Sequence, residues 1–243
     1  MWRADWDVLS AVAGAFVFLP ALGVAMLVPD APAVPQGRDG AVTDAALNAY
    51  QQDLTVWLGH YAIWWFGAAV VMFYGQFAIV ALYLSGDRPH VGRALAVAAR
   101  RVALLFAAGL IVGLPVAVAI ALGFLLPVLL IAAMVVWIWV AARTLTMGPV
   151  VLAERAGPID AIQRSLELTR GSTFALAAAI MTILLASDLA GGPFRLLDQW
   201  MVTHAPNPIA RAMVDAIVAA ITALGATFMA LLQVAAYRRL TTR

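Results

Sequence analysis

The sequence predicts an all-α fold: a polytopic membrane helix bundle of six transmembrane helices plus short cytoplasmic interfacial helices. Three observations lead there. Of 243 residues, 64% are hydrophobic and 12% charged, where a soluble domain carries roughly a quarter charged. The apolar residues fall in runs long enough to cross a bilayer, which takes about 20 residues. The basic residues crowd into alternate connections between those runs, the bias that marks cytoplasmic loops. A single membrane domain, 1–243, is the simplest division.

The first span is expected at about 8–28, closed by Pro29. Its apolar run is long for a signal peptide, and the preceding "MWRADWD" carries two Asp against one Arg, which favours a retained helix. The connection 29–56 opens with "PDAPAVPQGRDG", a Pro/Gly-rich stretch that should be irregular. Thr43 then caps a short helix, which either lies on the outer interface or extends the next span. That second span, about 57–84, begins with Trp57, Tyr61, Trp64 and Trp65, rings suited to the membrane–water interface.

Residues 102–142 carry no charge. The run is too long for one span and right for two, with Gly123 and Pro127 marking a turn. Spans at about 102–123 and 127–142 follow. "GLIVG", Gly109 to Gly113, permits a close helix crossing, expected inside the bundle, with a dimer contact as the alternative. The fifth span is expected at about 172–190, ending at Gly191-Gly192-Pro193, and the sixth at about 209–237.

With the N-terminus inside, twelve of the fifteen Arg are cytoplasmic and only Arg38, Arg195 and Arg211 lie outside. Both termini are then cytoplasmic. The absence of Lys and the abundance of Ala suit a GC-rich bacterial genome, hence a bacterial inner membrane. Basic groups near an anionic leaflet gain about 1 kcal/mol each. The expected partners are therefore the lipid bilayer, including anionic lipids, and other membrane proteins. A net charge of +2 is too small to suggest nucleic acid.

Two cytoplasmic segments are charged. The segment 158–170 has Pro158 in its first turn, Asp160 favourably placed for the dipole, Arg170 in its last turn and Gly171 as a stop. Ile159, Ile162 and Leu166 share one face, as in a helix lying on the interface. The segment 89–101 has the same Pro-to-Arg spacing, since 158 − 89 and 170 − 101 both equal 69. Those offsets suggest a duplicated unit of span, interfacial helix and span.

"MGPVVLAERAGPIDAIQRSLELTRGSTF" (147–174) resembles the signature of a bacterial six-span family. That family is labelled as the membrane domain of glycerophosphodiester phosphodiesterases. The matching positions are Pro149, Val150, Val151, Glu154, Gly157, Pro158, Arg164, Ser165, Leu168, Thr169, Arg170 and Gly171. The resemblance implies an integral membrane protein of uncharacterised role. The phosphodiesterase chemistry of the label belongs to a separate (β/α)8 barrel with His and carboxylate metal ligands, and His60, His90 and His204 are not placed for it.

There is no cysteine, so thiolate chemistry is excluded. Zinc spacings, P-loops, dinucleotide fingerprints and nucleophile elbows are also missing. The expectation is a non-enzymatic protein with no cofactor, no metal and no catalytic residue. Its role would be membrane organisation or partner docking through the cytoplasmic interfacial helices. Asp188 and Asp215 define the alternative, since ionisable groups inside spans are functional candidates. If their helices are neighbours, the two carboxylates line one outer vestibule, as in a small-solute or lipid transporter or channel. Ion pairing of Asp188 with Arg195 and of Asp215 with Arg211 is the plainer reading.

Overall fold

A computed structural model describes residues 6–35, 43–84, 90–123, 127–204 and 207–242. The chain is 90% helical, with no strand among the described residues. Six helices are long and apolar enough to cross a membrane, so this is an all-α, multi-pass membrane protein.

The helices are α1 (Trp6–Leu27), α2 (Asp44–Leu84), α3 (Val91–Gly123), α4 (Pro127–Thr144), α5 (Met147–Ala153), α6 (Pro158–Leu168), α7 (Thr173–His204) and α8 (Pro208–Thr241). Inside α1, Gly14–Phe18 forms a π-helical turn, with the Leu19 N–H bonded to the Gly14 carbonyl. Pro20 follows directly. Its ring crowds the carbonyl four residues back, and the wider π register relieves that conflict. The same turn presses Phe16 against Gly75 of α2, where any Cβ would overlap the Phe16 side chain.

At 41 residues, α2 is about 60 Å long, roughly twice the hydrocarbon thickness. The residues after Thr43 therefore extend the second span and do not form a separate helix. The buried part of α2, from Phe77 to Leu82, is at most 2% exposed. It packs with Val150 and Val151 of α5, Ala161 of α6 and Val234 of α8. The tight core thus lies at one end of the bundle, called here the Glu154 end. The opposite end, called the Asp215 end, holds the larger cavities.

Several expectations need correction. The fifth span does not stop at Gly191-Gly192-Pro193, because α7 runs on to His204. A glycine costs a helix about 1 kcal/mol and a proline about 3, and packing along α8 offsets both. The close approach of the two helices is at Gly225 of α8, where a Cβ would overlap the Ser187 hydroxyl, whereas a Cβ at Gly191 would make only ordinary contact with Arg195 and Ile221. The segment 89–101 is not an interfacial helix. From Val91 it is the first part of α3, since nothing between Val97 and Val102 interrupts backbone hydrogen bonding; Pro89 lies outside the described residues. By contrast, Gly171 adopts φ +85° and separates α6 from α7. The two segments are therefore not equivalent copies.

Helix α6 packs on the protein through a different face from its apolar one. Ala161, Ser165 and Thr169 are fully buried, while Ile159 is 62% exposed. The helix turns its small, hydroxyl-bearing face into the protein, roughly a quarter-turn from the Ile159–Ile162–Leu166 face. Gly109 and Gly113 make no close crossing. They line a groove of about 340 Å³ between α3 and α4, and a Cβ on either would meet nothing within 4 Å.

Candidate functional site

The cavity at the Asp215 end is built by four segments. Asn207 starts α8 by accepting the Ile209 and Ala210 N–H groups on its side-chain oxygen, at 3.0 and 3.2 Å. Pro208 takes the first helical position, where no donor is lost. This start places Arg211 and Asp215 one turn apart on α8. The extended chain after α1 is pinned by the Trp57 indole, which donates to the Pro29 carbonyl at 2.9 Å, and so presents Asp30. Helix α7 supplies Asp198 and Arg195.

Arg211 joins these segments. Its Nε donates to Asp198 at 2.9 Å and its Nη2 to Asp30 at 3.1 Å. Asp198 is the shielded member, with 18% of its side chain exposed against 81% for Asp30. Arg195 pairs with Asp188 at 3.1 Å, both being more than half exposed. A cavity of about 440 Å³ opens among these groups, bordered by Asp30, Arg195, Asp198, Arg211 and Asp215 and walled by Trp57, Trp65 and aliphatic side chains.

Asp188 does not border this cavity; its carboxylate is taken by Arg195. The expected vestibule of two carboxylates is therefore replaced by one containing Asp215, Asp198 and Asp30. The expected pairing of Arg211 with Asp215 is also absent, because the Arg211 fork is directed at Asp198 and Asp30. Asp215, half-buried, has no hydrogen-bond or ion-pair partner among the described residues. Sequence reasoning missed Asp30 and Asp198. Their signal was weak: single acids flanking spans, lying 181 and 13 residues from the Arg that binds them.

The signature residues gather at the Glu154 end. Pro149 is buried in α5. Ser165 lies 2.9 Å from the Thr146 hydroxyl and donates to the Arg143 carbonyl at 2.9 Å. Thr169 donates to the same carbonyl at 3.1 Å and to Ser165 O at 2.8 Å. These hydroxyls satisfy a carbonyl at the C-terminus of α4 that has no partner within its own helix. Glu154 accepts from Arg164 at 3.3 Å and from the Tyr237 hydroxyl at 3.1 Å, joining α5, α6 and α8. Arg164 also reaches Glu167 at 3.4 Å. Pro158 opens α6, Gly171 provides the left-handed exit, and Arg170 is exposed.

Nearby, Arg101 donates to the Val151 carbonyl at 3.4 Å and Arg238 to the Tyr83 carbonyl. This end is therefore a knot of paired polar groups, although the buried Arg143 Nε has no hydrogen-bond partner among the described residues. Gln233 borders a cavity of about 290 Å³ beside Thr144 and Gly148. Neither Gln233 nor Gln76 hydrogen-bonds among the described residues. No family model, curated protein or solved structure matches the chain.

Proposed function

We propose that this chain is a non-enzymatic multi-pass membrane protein that binds a small amphiphilic molecule at its Asp215 end. The carrying observation is the cavity of about 440 Å³ in which Asp215 has no hydrogen-bond or ion-pair partner among the described residues. A carboxylate among apolar side chains is costly unless it meets a donor or a cation, and a cavity with apolar walls and a few polar groups is the usual form of a small-molecule site. This reading keeps the transporter alternative's lipid or small-solute ligand but replaces Asp188 with Asp198 and Arg211 as the companions of Asp215.

Arg93, Arg101, Arg143, Arg164 and Arg238 on the connections and helix ends at the Glu154 end favour placing that end in the cytoplasm of a bacterial inner membrane. The cavity then faces outward, and anionic lipid partners fall to the inner leaflet. The resemblance to the six-span family named for the phosphodiesterase membrane domain is kept in this reading on its sequence positions alone, Glu154, Arg164, Ser165 and Thr169 among them. A second reading, partner docking from the inner side, draws on Ile159 and Phe174, which are 62% and 93% exposed.

Mass spectrometry of organic extracts from purified protein tests the leading reading. Wild type should retain an amphiphile in stoichiometric amount, and Asp215→Asn should lose most of it. Wild type that retains nothing would overturn the proposal.

A further inference from the structure

The Asp215 cavity does not stand alone. A larger groove of about 800 Å³ runs between α1 and α2, lined by apolar and aromatic residues including Gly23, Leu27, Trp64 and Gly67. Val24, Val28 and Ala68 border both spaces. One space is apolar and the other charged, with these three residues as their common wall. That is the shape of a site for a molecule with a hydrocarbon tail and a charged head.

The charges identify the head. Arg211 is paired with Asp198 and Asp30 and Arg195 with Asp188, which leaves Asp215 as the one charge on the cavity wall without an ion pair among the described residues. Arg195 spends one Nη on an exposed carboxylate and keeps further N–H donors. Asp215 has no partner among the described residues. The unpaired carboxylate complements an ammonium and the remaining N–H donors of Arg195 complement a phosphate, so the wall suits a zwitterion. Trp57 and Trp65 also line the cavity, and aromatic rings attract cations. An anionic headgroup without an ammonium would satisfy Arg195 and leave Asp215 repelled.

We infer that the cavity and groove together hold one zwitterionic phospholipid with a primary ammonium headgroup, its acyl chain in the groove and its ammonium on Asp215. The inference rests on the amphiphile-binding reading above and names the ligand class.

Two variants test it. Asp215→Asn removes the charge and keeps the shape. Gly67→Leu fills the groove at a position where a Cβ meets nothing within 4 Å, and leucine favours a helix over glycine. Native mass spectrometry would measure retention of phosphatidylethanolamine and phosphatidylglycerol with identical acyl chains. Wild type should prefer the ethanolamine lipid by about tenfold, the scale of one charge-assisted hydrogen bond. Asp215→Asn should bring the preference to about unity, and Gly67→Leu should lower retention of both lipids. Equal retention of the two lipids by wild type would refute the ammonium assignment and leave the amphiphile site standing. Undiminished retention by Gly67→Leu would refute the groove as the tail site. Retention of neither lipid by wild type would remove the binding reading itself.

Discussion

Replacing Ser165 with Ala should destabilise the protein by about 2 kcal/mol. Its hydroxyl is fully buried and makes two contacts of 2.9 Å, to Thr146 Oγ1 and to the Arg143 carbonyl. Interhelical hydrogen bonds in membrane proteins contribute roughly 0.6 kcal/mol each, so losing two costs about 1.2 kcal/mol. Arg143 O keeps Thr169 at 3.1 Å. Thr146, 0% exposed, is left without its hydroxyl partner, which adds about 1 kcal/mol. Reversible unfolding in mixed micelles, followed by tryptophan fluorescence, gives the loss directly. Adding Thr146→Val to Ser165→Ala removes the orphaned hydroxyl and should recover about 1 kcal/mol. A Ser165→Ala protein within about 0.5 kcal/mol of wild type, the scatter of neutral substitutions, would refute the view that this hydroxyl knot holds α4 to α6.

Three further substitutions bear on the same account. Arg155 sits at φ +56°, a conformation that costs a non-glycine residue about 1 kcal/mol, so Arg155→Gly should stabilise by roughly 0.5–1 kcal/mol in the same unfolding assay. Gly75→Ala drives a Cβ into Phe16 and should cost about 1–3 kcal/mol, read as a lowered midpoint. Arg211→Ala should cost under about 1 kcal/mol, because that guanidinium is more than a third exposed. It should nevertheless speed amide exchange in residues 30–34, which lose the tie to Asp30.

The spans were legible because a bilayer demands an apolar run of known length, and Arg marks where each run ends. Local chemistry was equally readable at Pro158 and Gly171, where one residue type fits one conformation. What escaped was whatever depended on packing. Gly191, Gly192 and Pro193 look like a stop, yet the helix continues because α8 lies alongside, closely enough at Gly225 to exclude a Cβ. Segments 89–101 and 158–170 share their spacing, but only the second has a glycine in a left-handed conformation after it. The α6 face followed hydroxyl satisfaction at Arg143 O, which apolar periodicity does not encode. At the candidate site, Asp215 stood out as a charge within a span. Asp30 and Asp198 did not, since pairing across helices joins residues far apart in sequence.

The most direct test of the central claim, that the Asp215 cavity and the adjoining groove hold an amphiphile, is a crystal structure grown in a lipidic mesophase doped with phosphatidylethanolamine. The account predicts continuous density running from beside Gly67, past Val24 and Ala68, to the carboxylate of Asp215. A cavity containing only ordered water, with Asp215 turned to pair with Arg211 or Arg195, would contradict it.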